Sequence, residues 1–372
     1  MLTDDKQIKM RLALANCKGI GFVHASELVL RFGSVEGVFA AGVSGLRAAG
    51  LSAAIAESLF SENNWAFAEK EFSFVRRNGI RVYFCTDDDY PFRLKECVDA
   101  PVILYYKGSC PIDCAKTLGI VGTRKATEEG IRFVNQFLEE LAKTNPDVLI
   151  VSGLAYGIDI CAHRAALKNG LNTIAVMATG MSVVYPSSHR GDASKIKDQG
   201  GVLTEYYSDF KLNKNGFAAR NRIVAGLCDA VLVVESPIKG GSLITASIAN
   251  SYNRDVFAVP GRPVDESFAG CNRLIMQNKA AMVCSANDLS AAMGWNVSKE
   301  ETLDVGPKEV EELTSEEKIV ISIIRQYGKV HIDDMAQEAK LPVQTLKSLL
   351  FMMEMKGLVH PLPGNMYALG KY

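Results

Sequence analysis

No stretch of this sequence approaches the roughly 18 consecutive apolar residues that a membrane-spanning helix requires, so a spanning protein is not expected. The start, MLTDDKQIKM, lacks a basic segment followed by an apolar one, and a cytoplasmic address is the expectation. An excess of positive charge is missing too: 41 Lys and Arg against 42 Asp and Glu leave a formal net charge of −1. A globally basic nucleic-acid protein is thereby excluded, and any nucleic-acid surface has to be local. The nine cysteines contain no CxxC pair, and the closest two, Cys110 and Cys114, have no histidine beside them. Neither a zinc ribbon nor a dithiol redox site is expected, and the thiols read as reduced core residues. The G-x-G-x-x-G fingerprint, the Walker lysine, HExxH and GxSxG are all missing, so no cofactor and no metal are expected.

What is present describes a protein that folds around more than one core, with 372 residues, 48% of them hydrophobic and 22% charged. Residues 1–70 show apolar positions at helical spacing, punctuated by Gly19, Gly21, Gly33 and Gly50. Within them CKGIGFVHASEL has the form of a helix-hairpin-helix. Residues 71–293 alternate helices with unbroken apolar strands such as TLGIVGT, DVLIVSG, NTIAVMATG and DAVLVVES, the pattern of a parallel sheet covered on both faces. The fold class predicted is therefore α/β, a doubly wound Rossmann-like sheet with a helical domain before it. An acidic, aperiodic stretch at 294–312 reads as a linker. Residues 313–372 then run helix, helix, longer helix and hairpin, which is the order of a winged helix.

In doubly wound sheets ligands bind at the carboxyl ends of the strands, and here those ends carry small, polar loops. IVGTRKATEEG places Gly122 and Thr123 where backbone N–H groups could meet an anion at a helix start, with Arg124 positioned to clamp it. SGLAYGIDICAH repeats the device with Gly153 and Gly157. In the same loop Asp159 and His163 fall on one helical face, where a loop-orienting or capping role is favoured over acid–base catalysis because no nucleophile or metal accompanies them. SPIKGGSLITAS puts Gly240, Gly241 and Ser242 ahead of another helix. KNGFAARNRIVAGL clusters Lys214, Arg220, Asn221 and Arg222 around Phe217, a combination of phosphate-binding cations with an aromatic face for an unstacked base. Alternatively Phe217 belongs to the core and Arg220 pairs with Glu205 or Glu235. Three such loops side by side suit a polymer better than a mononucleotide. The last long helix, VQTLKSLLFMMEMKG, carries few cations, and its stripe of Leu346, Leu349, Leu350 and Met353 reads as core or partner surface.

These motifs, taken in order over roughly residues 79–285, resemble the DNA-processing protein A family (DprA, also called Smf): VGTR with ATEEG, GLAYGID, ATG with a later YP, RNRIVAGL, LVVES, GSLITA, VFAVPG and GCNRLI. The departures are small, with Gly240 and Cys271 standing where that family usually has serine. The resemblance implies a non-enzymatic protein that binds single-stranded DNA, dimerises through its Rossmann-like domain, and loads RecA recombinase during natural transformation and homologous recombination. By position it makes Arg124, Lys214 and Phe217 DNA contacts. The same superfamily includes phosphoribohydrolases of nucleoside monophosphates, whose PGGxGT signature with a following glutamate does not occur here; nucleotide binding or hydrolysis is the alternative.

Overall fold

A computed structural model describes residues 5–210, 212, 214–295, 314–362 and 364–369. From residue 296 onward the expected linker lies outside the described residues, as do the side chain of Lys214 and Pro363 of the expected hairpin turn. The chain divides into two compact units, 1–297 and 298–372.

The first unit begins with six helices: α1 (Asp5–Asn16), α2 (Phe22–Phe32), α3 (Val35–Ala40), α4 (Gly42–Ala48), α5 (Ala53–Leu59) and α6 (Glu62–Arg77). Ser34, Ser52 and Ser61 start α3, α5 and α6 by accepting a hydrogen bond from the backbone three residues on. Each such cap is worth about 1 kcal/mol. Gly33 ends α2 at φ 80°, a left-handed conformation that costs glycine little. Leu12, Leu14, Leu46 and Leu59 are fully buried, and they join Tyr105, Tyr106 and Leu203 of the sheet in one continuous apolar cluster. Glu71 on α6 strengthens this join by accepting from both the backbone N–H and the hydroxyl of Ser208 at 2.8 and 2.6 Å.

The rest of the unit is built on nine strands: β1 (Arg81–Phe84), β2 (Ile103–Gly108), β3 (Thr117–Val121), β4 (Leu149–Ser152), β5 (Thr173–Val176), β6 (Gly201–Thr204), β7 (Ala230–Val233), β8 (Asp255–Ala258) and β9 (Ala281–Met282). Their spatial order is β1-β2-β6-β5-β4-β3-β7-β8-β9. The strands from β6 to β9 pair in parallel, whereas β1 and β2 are an antiparallel extension on the edge of β6. Between the strands lie α7 (Phe92–Lys95), α8 (Glu128–Thr144), α9 (Ile158–Lys168), a short 3-10 turn at Ser187–His189, α10 (Arg190–Gln199), α11 (Lys214–Gly226), α12 (Ser242–Ser251) and α13 (Ala269–Met276), with α14 (Ala286–Ala292) after the last strand. Strands β3 to β7 are buried along their whole length, as expected for a sheet covered on both faces. One buried ion pair fastens the extension. Arg93 donates to both carboxylate oxygens of Asp229 at 2.6 and 2.8 Å, and Asp229 also accepts from the backbone of Thr117.

From β3 the chain winds outward through β4, β5 and β6, then returns to the other side of β3 to begin β7. The loops after β3 and β7 thus depart in opposite directions and leave a crevice between them, the switch point at which such sheets bind ligands.

The second unit contains α15 (Ser315–Tyr327), β10 (Lys329–His331), α16 (Ile332–Ala339), α17 (Val343–Met355), β11 (Val359–Leu362) and β12 (Met366–Leu369), its strands ordered β10-β12-β11 and antiparallel. This is a winged helix. Thr314 and Glu317 form a capping box that starts α15. Leu346, Leu350 and Met353 on α17 are buried with Val320, Ile324 and Met335, and Leu349 packs partly against them, so the stripe noted in the sequence is core. Among the described residues of both units no helix is long and apolar enough to cross a membrane, and no cluster of His, Cys, Asp or Glu could hold a metal ion.

Candidate functional site

At the switch point lies an open cavity of about 320 Å³. Gly122, Thr123 and Arg124 from the end of β3, Phe217 and Asn221 from α11, and Gly240, Gly241 and Ser242 at the start of α12 line it. Asp159 and Arg220 line its floor, both almost completely buried. Ten of the fifteen residues singled out in the sequence therefore converge on one crevice. Gly153, Gly157, His163 and Arg222 are not among its lining residues, and the side chain of Lys214 is outside the described residues.

The three glycine loops do different work. At the first, the start of α8 is already capped: Thr127 accepts from Gly130, and Glu235 accepts from the backbone and hydroxyl of Thr127 at 3.0 and 3.2 Å. With Glu128 and Glu129 in its first turn as well, this helix start repels an anion rather than attracting one. At the second, the glycines admit protein. The space a side chain would fill at Gly153 is taken by the Arg220 guanidinium, and at Gly157, with φ +75°, by the backbone of Thr123 and Arg124. The third loop is the open one. A side chain at Gly241 would meet nothing, α12 has no acidic residue in its first turn, and Ser242 donates to Ser236 at 2.8 Å. The positive end of α12 is thus presented to the cavity, where it can receive phosphate.

Below the rim the polar groups hold one another. Arg220 donates to the backbone carbonyls of Gly153 and Val176, bracing the ends of β4 and β5, rather than pairing with Glu205 or Glu235. It is Arg222 that pairs with Glu205. Alternate positions on α11 thus point to different sides, which the string RNR does not reveal. Burial pushes the Asp159 carboxyl above its usual range, with the Arg220 charge opposing the shift, and Asp159 accepts from the backbone of Ala155 at 3.4 Å. His163 bonds through Nδ1 to the Thr173 hydroxyl at 2.7 Å, and burial drives its pKa down to about 3. The imidazole is therefore held neutral at ordinary pH, and Asp159 is bonded to the loop before α9.

The rim carries an exposed charge. Arg124 is exposed, and its guanidinium lies over the Phe217 ring at 4.8 Å from the centroid. The sequence pattern brings cation and aromatic into one segment at Lys214 and Phe217, but the pairing of Arg124 from the loop after β3 with Phe217 of α11 needs the fold to be seen.

Comparison with known proteins follows the same outline. The family described as DNA recombination-mediator protein A matches residues 81–294, and the DprA winged helix domain matches residues 307–365. Over 205 residues the chain is 43% identical to DNA processing protein DprA of Streptococcus pneumoniae, a match that spans 55% of this chain and 71% of that protein. The X-ray structure of DNA processing protein A from Streptococcus pneumoniae aligns with a TM-score of 0.64 at 33% identity, covering 78% of this chain and 98% of that one. DNA processing protein A from Helicobacter pylori, solved for its single-stranded DNA binding mode, aligns at 0.53 and 28% identity over 58% and 96%.

Proposed function

The chain belongs to the DNA recombination-mediator protein A family, and from that premise we propose that it binds single-stranded DNA in the switch-point crevice, without catalysing a reaction on it. The observation that carries this reading is the pairing at the rim: an exposed cation and an aromatic ring in contact, beside a helix start open to phosphate. In the free protein Arg124 covers Phe217. Binding moves the guanidinium onto a phosphate and gives the uncovered ring to a base, an exchange that replaces a contact worth roughly 0.5–1 kcal/mol with stronger ones. Asn221, Gly240, Gly241 and Ser242 shape the phosphate path, Gly122 and Thr123 set Arg124 at its rim, and Lys214 at the start of α11 adds charge. Gly153, Gly157, Arg220 and Arg222 act by holding the loops and α11 in place.

The larger role we infer is cytoplasmic: the protein holds a single strand entering homologous recombination, as in natural transformation, and hands it to RecA recombinase. It does so as a homodimer. Support for the dimer comes from the edge of the sheet, where β9 is only two residues long and Val264, Met276 and Met282 are 90%, 78% and 59% exposed. Exposed apolar side chains and a short strand at the end of the sheet suit self-association. Hydrolysis of a nucleoside monophosphate is disfavoured, since the one carboxylate lining the crevice, Asp159, is buried and engaged with the loop backbone, and Glu235 is committed to the start of α8. Titrating the same sample with a nucleoside monophosphate and with an oligonucleotide tests this: tight binding or turnover of the monomer overturns the reading, and binding of the oligonucleotide alone supports it.

A further inference from the structure

The crevice is about 320 Å³ in volume, and aromatic side chains continue beyond Phe217. Phe217, which lines the cavity, also meets the ring of Tyr185, with centroids 5.6 Å apart and planes inclined by 62°. Tyr185 follows β5 and is 46% exposed. Three residues on, Ser188 donates to the hydroxyl of Tyr156 at 3.2 Å, and the Tyr156 ring rests edge-on against His189 at 4.9 Å. Tyr156 lies in the loop after β4 and is 49% exposed. His189 is itself buried and fixed by a 2.9 Å bond to the carbonyl of Leu154, so the support under Tyr156 is rigid.

Half-exposed rings held in place in this way contribute little to the core, because much of their apolar area stays in water. We propose that Tyr185 and Tyr156 are further base platforms, which with Phe217 make a track for about three consecutive bases of one DNA strand across the ends of β4 and β5. The proposal rests on the single-strand reading of the crevice and assigns it a direction and a length. A spacing of 5.6 Å exceeds the roughly 3.4 Å between bases stacked within a strand, and the inclination between the first two rings turns the path. Bases riding on these rings are unstacked from one another. A duplex, whose bases remain stacked and paired, cannot follow the track, so the aromatic surface selects single strands by shape without reading sequence.

The test is a length series, oligo(dT) of one to eight nucleotides, titrated against the full-length protein at fixed salt. The wild-type affinity is expected to rise steeply up to about three or four nucleotides and then to flatten. Tyr185→Ala should lower the affinity for the octamer about tenfold, the size expected for one lost base stack. It should leave the salt dependence unchanged and bring the plateau at a shorter length. Tyr185→Phe should bind as wild type, and Tyr185→Leu, which keeps bulk without a π face and guards against a folding defect in the alanine variant, should behave like Tyr185→Ala. Photocrosslinking of an octamer carrying 5-iodouracil should mark Tyr185 or Tyr156. If the octamer binds Tyr185→Ala and Tyr156→Ala as it binds wild type while Arg124→Ala weakens it, the track is wrong and the crevice reading stands. If wild type binds no oligonucleotide, both fall.

Discussion

Removing Arg124 and Phe217 singly and together examines the exchange proposed at the rim. A phosphate contact from a guanidinium contributes on the order of 1–3 kcal/mol, and one base stack roughly 1–3 kcal/mol. In the free protein the two side chains hold each other through a contact worth about 0.5–1 kcal/mol at an exposed site, and this must be broken for the base to reach the ring. Either alanine variant abolishes that opposing cost, so each single loss is reduced by it. The double variant, which loses both favourable contacts and the opposing cost only once, should therefore bind more weakly than the sum of the singles by about 0.5–1 kcal/mol. Fluorescence anisotropy with a (dT) oligonucleotide at several salt concentrations supplies the numbers. Arg124→Ala should also reduce the slope of log affinity against log salt by roughly 0.7, and Phe217→Ala should not. A double loss smaller than the sum would mean that Arg124 stays on the ring when DNA binds and that Phe217 only positions it. No loss in Arg124→Ala, with the fold intact, would remove the crevice from the account.

Other expectations concern the scaffold. A protein ending near residue 310 should stay folded and still bind single-stranded DNA, as circular dichroism and a mobility shift would register, whereas a folded truncation without binding would move the site to the winged helix. Asp229→Ala strips the buried Arg93 of its partner and should destabilise the protein by about 3–5 kcal/mol in denaturant unfolding. Since Asp229 precedes β7 at the end opposite the crevice, DNA affinity of the folded protein should be unchanged. His163 makes the fold sensitive to acid. The unfolded chain takes up a proton on this residue below about pH 6.5, but the folded protein refuses it until about pH 3. The stabilisation is complete above pH 6.5 and is lost as pH falls toward 3, at up to about 1.4 kcal/mol per unit. In His163→Gln the decline in stability between pH 6.5 and pH 5 should be shallower by about 2 kcal/mol in total, and equal declines in the two proteins would assign the acid sensitivity elsewhere.

Much of this was legible in the chain itself, for physical reasons that differ from residue to residue. The parallel sheet announced itself because strands buried on both faces admit no polar alternation, as in LGIV and LIVS. The crevice followed, since the loops after β3 and β7 are recognisable as the small-residue ends of strands. Asp159 and His163, read from the sequence as structural, are buried and bonded to the Ala155 backbone and the Thr173 hydroxyl. Roles that depend on partners distant in sequence were not legible. Nothing near GTRKATEE discloses that Glu235, more than a hundred residues later, caps α8 and closes that helix start to anions. Similarly, RNR does not say that Arg220 braces two strand ends while Arg222 turns away to Glu205. Gly153 and Gly157 read as room for a ligand, but the room is filled by Arg220 and by the neighbouring loop. Tyr156 and Tyr185 fall within family motifs but carried no signal of a base platform, because the contact of Tyr185 with Phe217 and that of Tyr156 with His189 arise only in the fold.

The crevice is expected to take a single strand by clamping phosphate and accepting unstacked bases. A mobility shift comparing one oligonucleotide with its blunt duplex, run with wild type and Arg124→Ala, addresses it most directly. Wild type should clearly prefer the single strand, with binding that weakens as salt is added, and the variant should lose roughly 2- to 30-fold, the phosphate contact less the cost of uncovering Phe217. Equal affinity for single strand and duplex, or a variant that binds as tightly as wild type, would contradict it.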